Sequence, residues 1–186
     1  QQAASRLDAA VGAELAPLKL EGASFITAIN DLPPEQFGPR GTQQVRFEAS
    51  TNKGMKAGPI DRIASGGELA RFLLALKVAL EGDESGRTLI FDEVDSGVGG
   101  AVAAAVGERL ARLGRTTQTL VVTHSPQVAA KGDQHMKIAK TATESGVISG
   151  TEALDDNART EEIARMLAGE EITAEARAAA QALREG

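Results

Sequence analysis

The sequence predicts an α/β fold, with a largely parallel sheet flanked by helices. Two observations carry this. From residue 65 onward the pattern runs helix, strand, helix, strand, helix, and crossover helices of that kind join parallel strands. The two strand-like runs, Thr88-Leu89-Ile90-Phe91 and Thr117–Val122, are short and read as buried. Hydrophobic residues make up 42% of the 186, enough for a sizeable core.

The elements follow in order. Gln1–Ala16 reads as a helix, because Leu7, Val11 and Leu15 fall four apart on one face; Pro17 ends it. Its apolar stripe is narrow, as in a coiled-coil seam. Ser24–Asn30 and Gln43–Ser50 read as strands. The second alternates, with Val45, Phe47 and Ala49 on one face and Gln44, Arg46 and Glu48 on the other. Prolines and glycines make Asp31–Gly41 and Thr51–Pro59 loops. Glu68–Leu80 is an apolar helix with few solvent positions, broken by Gly82–Gly86. An alanine-rich helix, Ala101–Leu113, links the two buried strands. Pro126 after Ser125 starts a short helix. Met136–Ala142 and Gly146–Ala153 resemble a hairpin. Arg159–Leu167 and Ala174–Leu183 are terminal helices, with Gly169 between them and Thr173 as a cap.

Composition removes several function classes. There is no cysteine, which excludes disulfides and thiolate metal sites and fits a reducing compartment. No apolar run approaches the roughly 20 residues that cross a bilayer, and no signal peptide is visible, so a cytoplasmic protein without a membrane partner is expected. Net charge is −6; there is no Tyr or Trp for base stacking and no Lys/Arg cluster, so this segment is a poor nucleic-acid surface. The chain opens on Gln1 inside a helical pattern, which points to a piece of a longer protein.

Three short motifs carry chemistry. Ser65-Gly66-Gly67-Glu68 opens a helix. Ser65 suits an N-cap, and the glycines leave the helix end bare, so an anion can reach its unpaired N–H groups and positive dipole end. Asp92-Glu93 ends an apolar strand. Neighbours on a strand point to opposite sides, so one carboxylate can face a metal and the other a second reactant. His124 ends the next strand and can sense phosphate or exchange a proton. Each has a bland reading: a capped helix, a solvated strand end, a structural histidine. His135 has no convincing partner and reads as structural. In parallel sheets ligands bind at the carboxyl ends of strands, where Asp92, Glu93 and His124 all fall.

Taken in sequence, these motifs resemble the second half of an ABC-type ATPase: signature motif, Walker B strand with its glutamate, and switch-histidine loop. The continuation narrows the resemblance. Asp92-Glu93-Val94-Asp95-Ser96-Gly97-Val98-Gly99-Gly100, with Ala64-Ser65-Gly66-Gly67-Glu68-Leu69-Ala70-Arg71 and Thr123-His124-Ser125-Pro126-Gln127-Val128-Ala129, is similar to the RecN family of bacterial SMC-like DNA repair proteins. Transporter cassettes usually continue Asp-Glu-Pro-Thr.

The resemblance implies an ABC-type ATPase head, C-terminal lobe. Residues 1–16 would be the returning end of a coiled-coil helix, 17–60 a β-rich segment, and 61–186 the lobe itself. It implies ATP and Mg²⁺, with Asp92 in the metal shell, Glu93 polarising the attacking water and His124 sensing the γ-phosphate. Ser65, Gly66, Gly67 and Glu68 would contact ATP held by a second head in a homodimer. It also implies action on DNA double-strand breaks at the nucleoid, through the complete protein. Two positions depart from the commoner ABC pattern: Ala64 replaces a leucine, and Gly99 stands where transporters carry an aspartate. No Gly-x-x-x-x-Gly-Lys-Ser/Thr loop occurs, so an N-terminal Walker A lobe is the expected partner, and this chain by itself should bind ATP poorly. The head of another SMC-like ATPase, a non-catalytic dimerisation scaffold and a transporter cassette are the alternatives.

Overall fold

A computed structural model of the chain describes residues 1–62, 66–80, 86–143, 146–169 and 171–186, with the backbone alone at 141–143. Ser65, Ala64 and most of the Gly82–Gly86 break lie outside the described residues.

Helix α1 (Gln2–Leu15) packs the predicted face inward: Val11 and Leu15 are buried and Leu7 lies against them. A 3₁₀ turn holding Pro17 follows (Ala16–Leu18), and Lys19 closes it in a left-handed conformation (φ 59°). Two polar ties fix α1. Asp8 accepts the backbone N–H of Thr27 at 2.8 Å. Glu14 binds Arg109 at 2.9 Å and Arg112 at 3.0 Å.

Strands β1 (Ser24–Asp31) and β2 (Gln43–Ser50) pair antiparallel, from Ser24 opposite Ser50 to Asp31 opposite Gln43. Phe25 and Phe47 meet with ring centroids 5.5 Å apart, and Ala49 is buried. The expected alternation fails at Val45, which is exposed. Burial fades along this hairpin, so its Asp31/Gln43 end projects beyond the core. The end of the Thr51–Pro59 loop forms a two-residue edge strand, β3 (Gly58–Pro59), where a proline without an N–H is tolerated.

Helix α2 (Gly66–Ala79) buries Phe72, Leu74, Ala75, Leu76 and Val78. As expected it leaves few solvent positions: past its first residue only Leu73 and Lys77, one turn apart, are exposed. Strand β4 (Thr88–Asp92) pairs in parallel with β5 (Gln118–Val122), and helix α3 (Gly100–Gly114) crosses between them. This is the predicted α/β unit. Helix α3 faces the core with Ala103, Val106, Leu110 and Leu113. Gly107 lies against the one-turn helix α4 (Pro126–Ala129): a Cβ there would stand 3.1 Å from the Gln127 carbonyl and 3.2 Å from Val128 Cα.

The strands themselves require a correction. Both were expected to be buried, yet each is covered on one face only. Leu89, Phe91 and Val121 pack on the core. On the other face Ile90 is 71% exposed, and Leu120 and Val122 are also open. Apolar composition registers how much cover a strand needs, not whether this chain supplies it.

Beyond the sheet, β6 (Met136–Thr143) and β7 (Gly146–Ala153) form the expected hairpin, with Met136, Ile138, Val147 and Ile148 exposed. Helices α5 (Asp156–Ala168) and α6 (Ala174–Glu185) start at side-chain caps, Asp155 accepting from Ala158 N–H and Thr173 from Ala176 N–H. They enclose a small second core of Ala130, Ile163, Ala164, Ala176 and Ala180. Arg159 reaches from α5 to the carbonyls of Gly132 and Asp133. Glu162, buried, pairs with Lys137 at 2.7 Å and Arg165 at 2.5 Å. His135 sits here, half-buried; burial and the neighbouring Arg159 hold its imidazole below the usual range. It lies against α5 residues, which fits the structural reading. Among the described residues no helix is long and apolar enough to cross a membrane.

Candidate active site

The carboxyl end of the parallel pair gathers the predicted residues. Asp92 is the last residue of β4 and lies opposite Val122 of β5, on the same face as Ile90 and Leu120. Its carboxylate therefore stands on the uncovered side of the sheet. Glu93 leaves the strand with φ 49°, a left-handed conformation that costs a side chain on the order of 1 kcal/mol or more. Its N–H still donates to the Val122 carbonyl at 3.0 Å, so the turn begins while the strand pairing is intact. Both carboxylates are exposed, which removes the burial penalty that adjacent acids would otherwise carry.

The side chain of His124 comes within reach of Glu93: Nε2 to Oε1 is 3.7 Å, and both groups are open to solvent. A turn follows Glu93. The N–H of Ser96 donates to the Glu93 carbonyl at 2.9 Å. Between them Val94 is buried in the core and Asp95 is buried nearby. Asp95 accepts a hydrogen bond from the hydroxyl of Thr123. The same Thr123 oxygen accepts the N–H of Ser125 at 2.9 Å. Ser125 is the N-cap residue of α4, as expected, but its hydroxyl turns to Gln127 at 2.9 Å instead of capping the helix.

Helix α2 brings the glycine motif to the same turn. Gly66 is exposed, and a Cβ placed on it would meet nothing within 4 Å. Gly67 differs: a Cβ there would stand 3.1 Å from the Ser96 carbonyl, so close approach of backbone to backbone requires glycine. Glu68 lies in the first turn, half-buried. One turn on, Arg71 is buried and its Nη1 donates to the Ser96 carbonyl at 3.4 Å. Burial draws this guanidinium below its ordinary range, and the neighbouring Glu68 opposes that.

The structure thus sets Asp92, Glu93 and His124 at one end of the parallel pair, with Glu93 and His124 3.7 Å apart, and brings Gly67 beside the turn that follows Glu93. Gly99 stands at the N-cap of α3 in an extended conformation. Sequence reasoning gave no role to Asp95, Thr123, Ser96 or Arg71. A signal existed for Arg71, a lone cation on the apolar face of its helix. The Ser96 carbonyl carried none, because any residue would supply it.

The residues present suit a metal carried by a nucleotide. Among the described residues no three His, Cys, Asp or Glu side chains converge as a metal cage. Mg²⁺ bound with substrate phosphates takes only one or two carboxylates from the protein, and Asp92 offers one at a strand end.

No protein-family model matches the chain. It is 46% identical over 171 residues to the DNA repair protein RecN of Rickettsia bellii, covering 92% of this chain and 31% of that protein. To the DNA repair protein RecN of Streptomyces coelicolor it is 42% identical over 194 residues, covering 99% of this chain and 34% of that one. The chain therefore spans about a third of the length of the curated relatives it matches. Among solved structures it is similar to the Smc head domain with a coiled coil and joint from Pyrococcus yayanosii, with a TM-score of 0.56 and 20% identity, over 86% of this chain and 28% of that one. It is also similar to a chain from structural work on ATP-driven dimerization and DNA stimulated activation of SMC ATPases, with a TM-score of 0.53 and 17% identity over 91% of this chain and 96% of that one. The structural likenesses bear on the fold alone. Over nine-tenths of its length the chain is similar in sequence to RecN proteins, and its fold is like that of SMC heads.

Proposed function

We propose that the chain is the C-terminal lobe of the ATPase head of a RecN-like protein that acts in DNA double-strand-break repair. The observation that carries this is the position of Asp92: it stands on the face of the β4–β5 sheet that nothing among the described residues covers, beside exposed Ile90, Leu120 and Val122. A two-stranded parallel sheet with an open apolar face is not stable architecture alone. The face that needs a partner is the face that holds the acid. An N-terminal lobe carrying the phosphate-binding loop is the partner of the right kind, and the nucleotide then lies between the two lobes.

Within that site Glu93 accepts a hydrogen bond from an attacking water and so polarises it, and His124, 3.7 Å away, faces the same space and reads the γ-phosphate. Asp92 is the residue that would hold Mg²⁺, through water, and the ion would supply neutralisation of phosphate charge. Ser65, Gly66, Gly67 and Glu68 close over ATP held by a second head, the bare helix end offering its N–H groups. ATP brings two heads together and hydrolysis releases them. Residues 1–16 are the returning end of a coiled coil, 17–60 a β-rich segment of the head, and 61–186 the lobe. DNA is engaged by the complete protein in the cytoplasm.

Replacing Glu93 by Gln in the full-length protein tests this. Hydrolysis should collapse while ATP-dependent dimers persist in light scattering; unchanged turnover removes Glu93 from its role. Calorimetry on this chain alone tests the divided site, and micromolar Mg-ATP affinity would sink it.

A further inference from the structure

A closed circuit of contacts links the two motifs that serve different nucleotides in the reading above, on which this inference rests. From the first turn of α2, Gly67 and Arg71 meet the Ser96 carbonyl. The Ser96 N–H returns to the Glu93 carbonyl. Next to Ser96, Asp95 holds Thr123, and the residue after Thr123 is His124, which faces Glu93. Arg71 is the side chain that joins the helix to this circuit. It is 7% exposed, and its Nε is buried without a partner among the described residues. A buried guanidinium that donates, among the described residues, to one backbone carbonyl is an expensive way to fill space. A methionine would fill the same volume without a charge. The feature the arginine adds is a donor aimed at the turn behind Glu93.

We infer that Arg71 is a positioning residue: it fastens the start of α2 to the Glu93–Ser96 turn, so that the helix end engaging a partner's nucleotide also sets the geometry of this chain's own carboxylate. Arg71 touches no reacting atom in this role. Its action runs through the Ser96 carbonyl to the backbone of Glu93. Gly67 is the second half of the device, because a side chain there would crowd the Ser96 carbonyl at 3.1 Å and the Arg71 guanidinium at 3.4 Å.

The test compares Arg71→Met and Arg71→Lys in the full-length protein with Glu93→Gln. Arg71→Met should lower kcat for ATP by about tenfold or more, the scale of lost positioning, with KM held within about threefold. ATP-dependent dimers of the double variant Arg71→Met, Glu93→Gln should persist. Arg71→Lys, which keeps a donor, should recover most of the rate. A space-filling role predicts instead that rate, dimer and thermal midpoint fall together and that Lys rescues nothing; that pattern, or an unchanged kcat, overturns the inference. Should Arg71→Met fail to fold, Arg71→Leu carries the test in its place: slower single-turnover hydrolysis with unchanged dimerisation supports the inference, and a wild-type rate overturns it. Failure of the ATPase reading itself is visible separately, as unchanged turnover in Glu93→Gln alone.

Discussion

The hydroxyl of Thr123 donates to buried Asp95 and accepts from the N–H of Ser125, so one oxygen holds the backbone on both sides of His124. Thr123→Val keeps the shape and removes both bonds. It leaves a buried carboxylate without this donor, which costs on the order of 1–3 kcal/mol. Urea unfolding should show that loss, and ATP turnover of the full-length protein should fall as His124 loses its place. Thr123→Ser should keep both properties. A valine variant equal to wild type in both would mean the bond does not hold the loop.

Glu162 links the β6–β7 hairpin to α5. The Arg165 guanidinium foremost, with Lys137, holds its carboxyl at about 2, down from the ordinary 4.5. Because the folded value is depressed, the stabilisation is fully present above pH 4.5 and drains away as pH falls toward 2. Solvent reaches both cations, so the effect is about 2 kcal/mol. Glu162→Gln should flatten the pH dependence of the thermal midpoint in that window and leave it unaltered above. An unchanged acid profile in the variant would show that other carboxylates govern it.

Gly107→Ala separates helix propensity from packing. Alanine is the better helix former by about 1 kcal/mol. Here the added methyl would press on backbone atoms of α4 at 3.1–3.2 Å, and backbone does not yield as a flexible side chain does. Overpacking of this kind costs about 1–3 kcal/mol, so the net change should be destabilising. Differential scanning calorimetry should show a lowered midpoint, and a raised one would mean α4 gives way freely.

The open face of the sheet gives a two-sided test of the divided head. Ile90→Glu should leave the isolated chain folded and reduce its self-association in light scattering, because this side chain is already 71% exposed. In the full-length protein the same change should prevent a stable head, because the proposed N-terminal lobe would cover that face. Equal stability of wild type and variant in full length would mean the face stays open to water.

Much of the fold could be read from sequence because its signals are local. The 3.6-residue period of α3, the proline after α1, the Thr173 cap and the motif order at 66–68, 92–93 and 124 all report on a few neighbouring residues. What escaped depends on distant partners. Exposure of Val45, Ile90 and Leu120 is set by where the core ends, and no local pattern contains that. The same holds for the site. Asp92, Glu93 and His124 stand at strand ends, where a pattern reveals them. Asp95, Thr123 and Arg71 matter through each other and through a backbone carbonyl, which only the folded chain brings together.

The clamp between Glu14 and the Arg109 and Arg112 side chains has a mechanical consequence. These residues are 95 and 98 positions apart, yet they bolt the last turn of α1 to the C-terminal half of α3. The N-terminus of α3 is Gly100, a few residues after the turn that carries Glu93, Asp95 and Ser96. A pull or twist on α1 therefore bears on two elements at once, on β1 through Asp8 and on α3 through Glu14. The second of these is the helix that leaves the turn behind Glu93, so α1 is mechanically joined to the element nearest the candidate site.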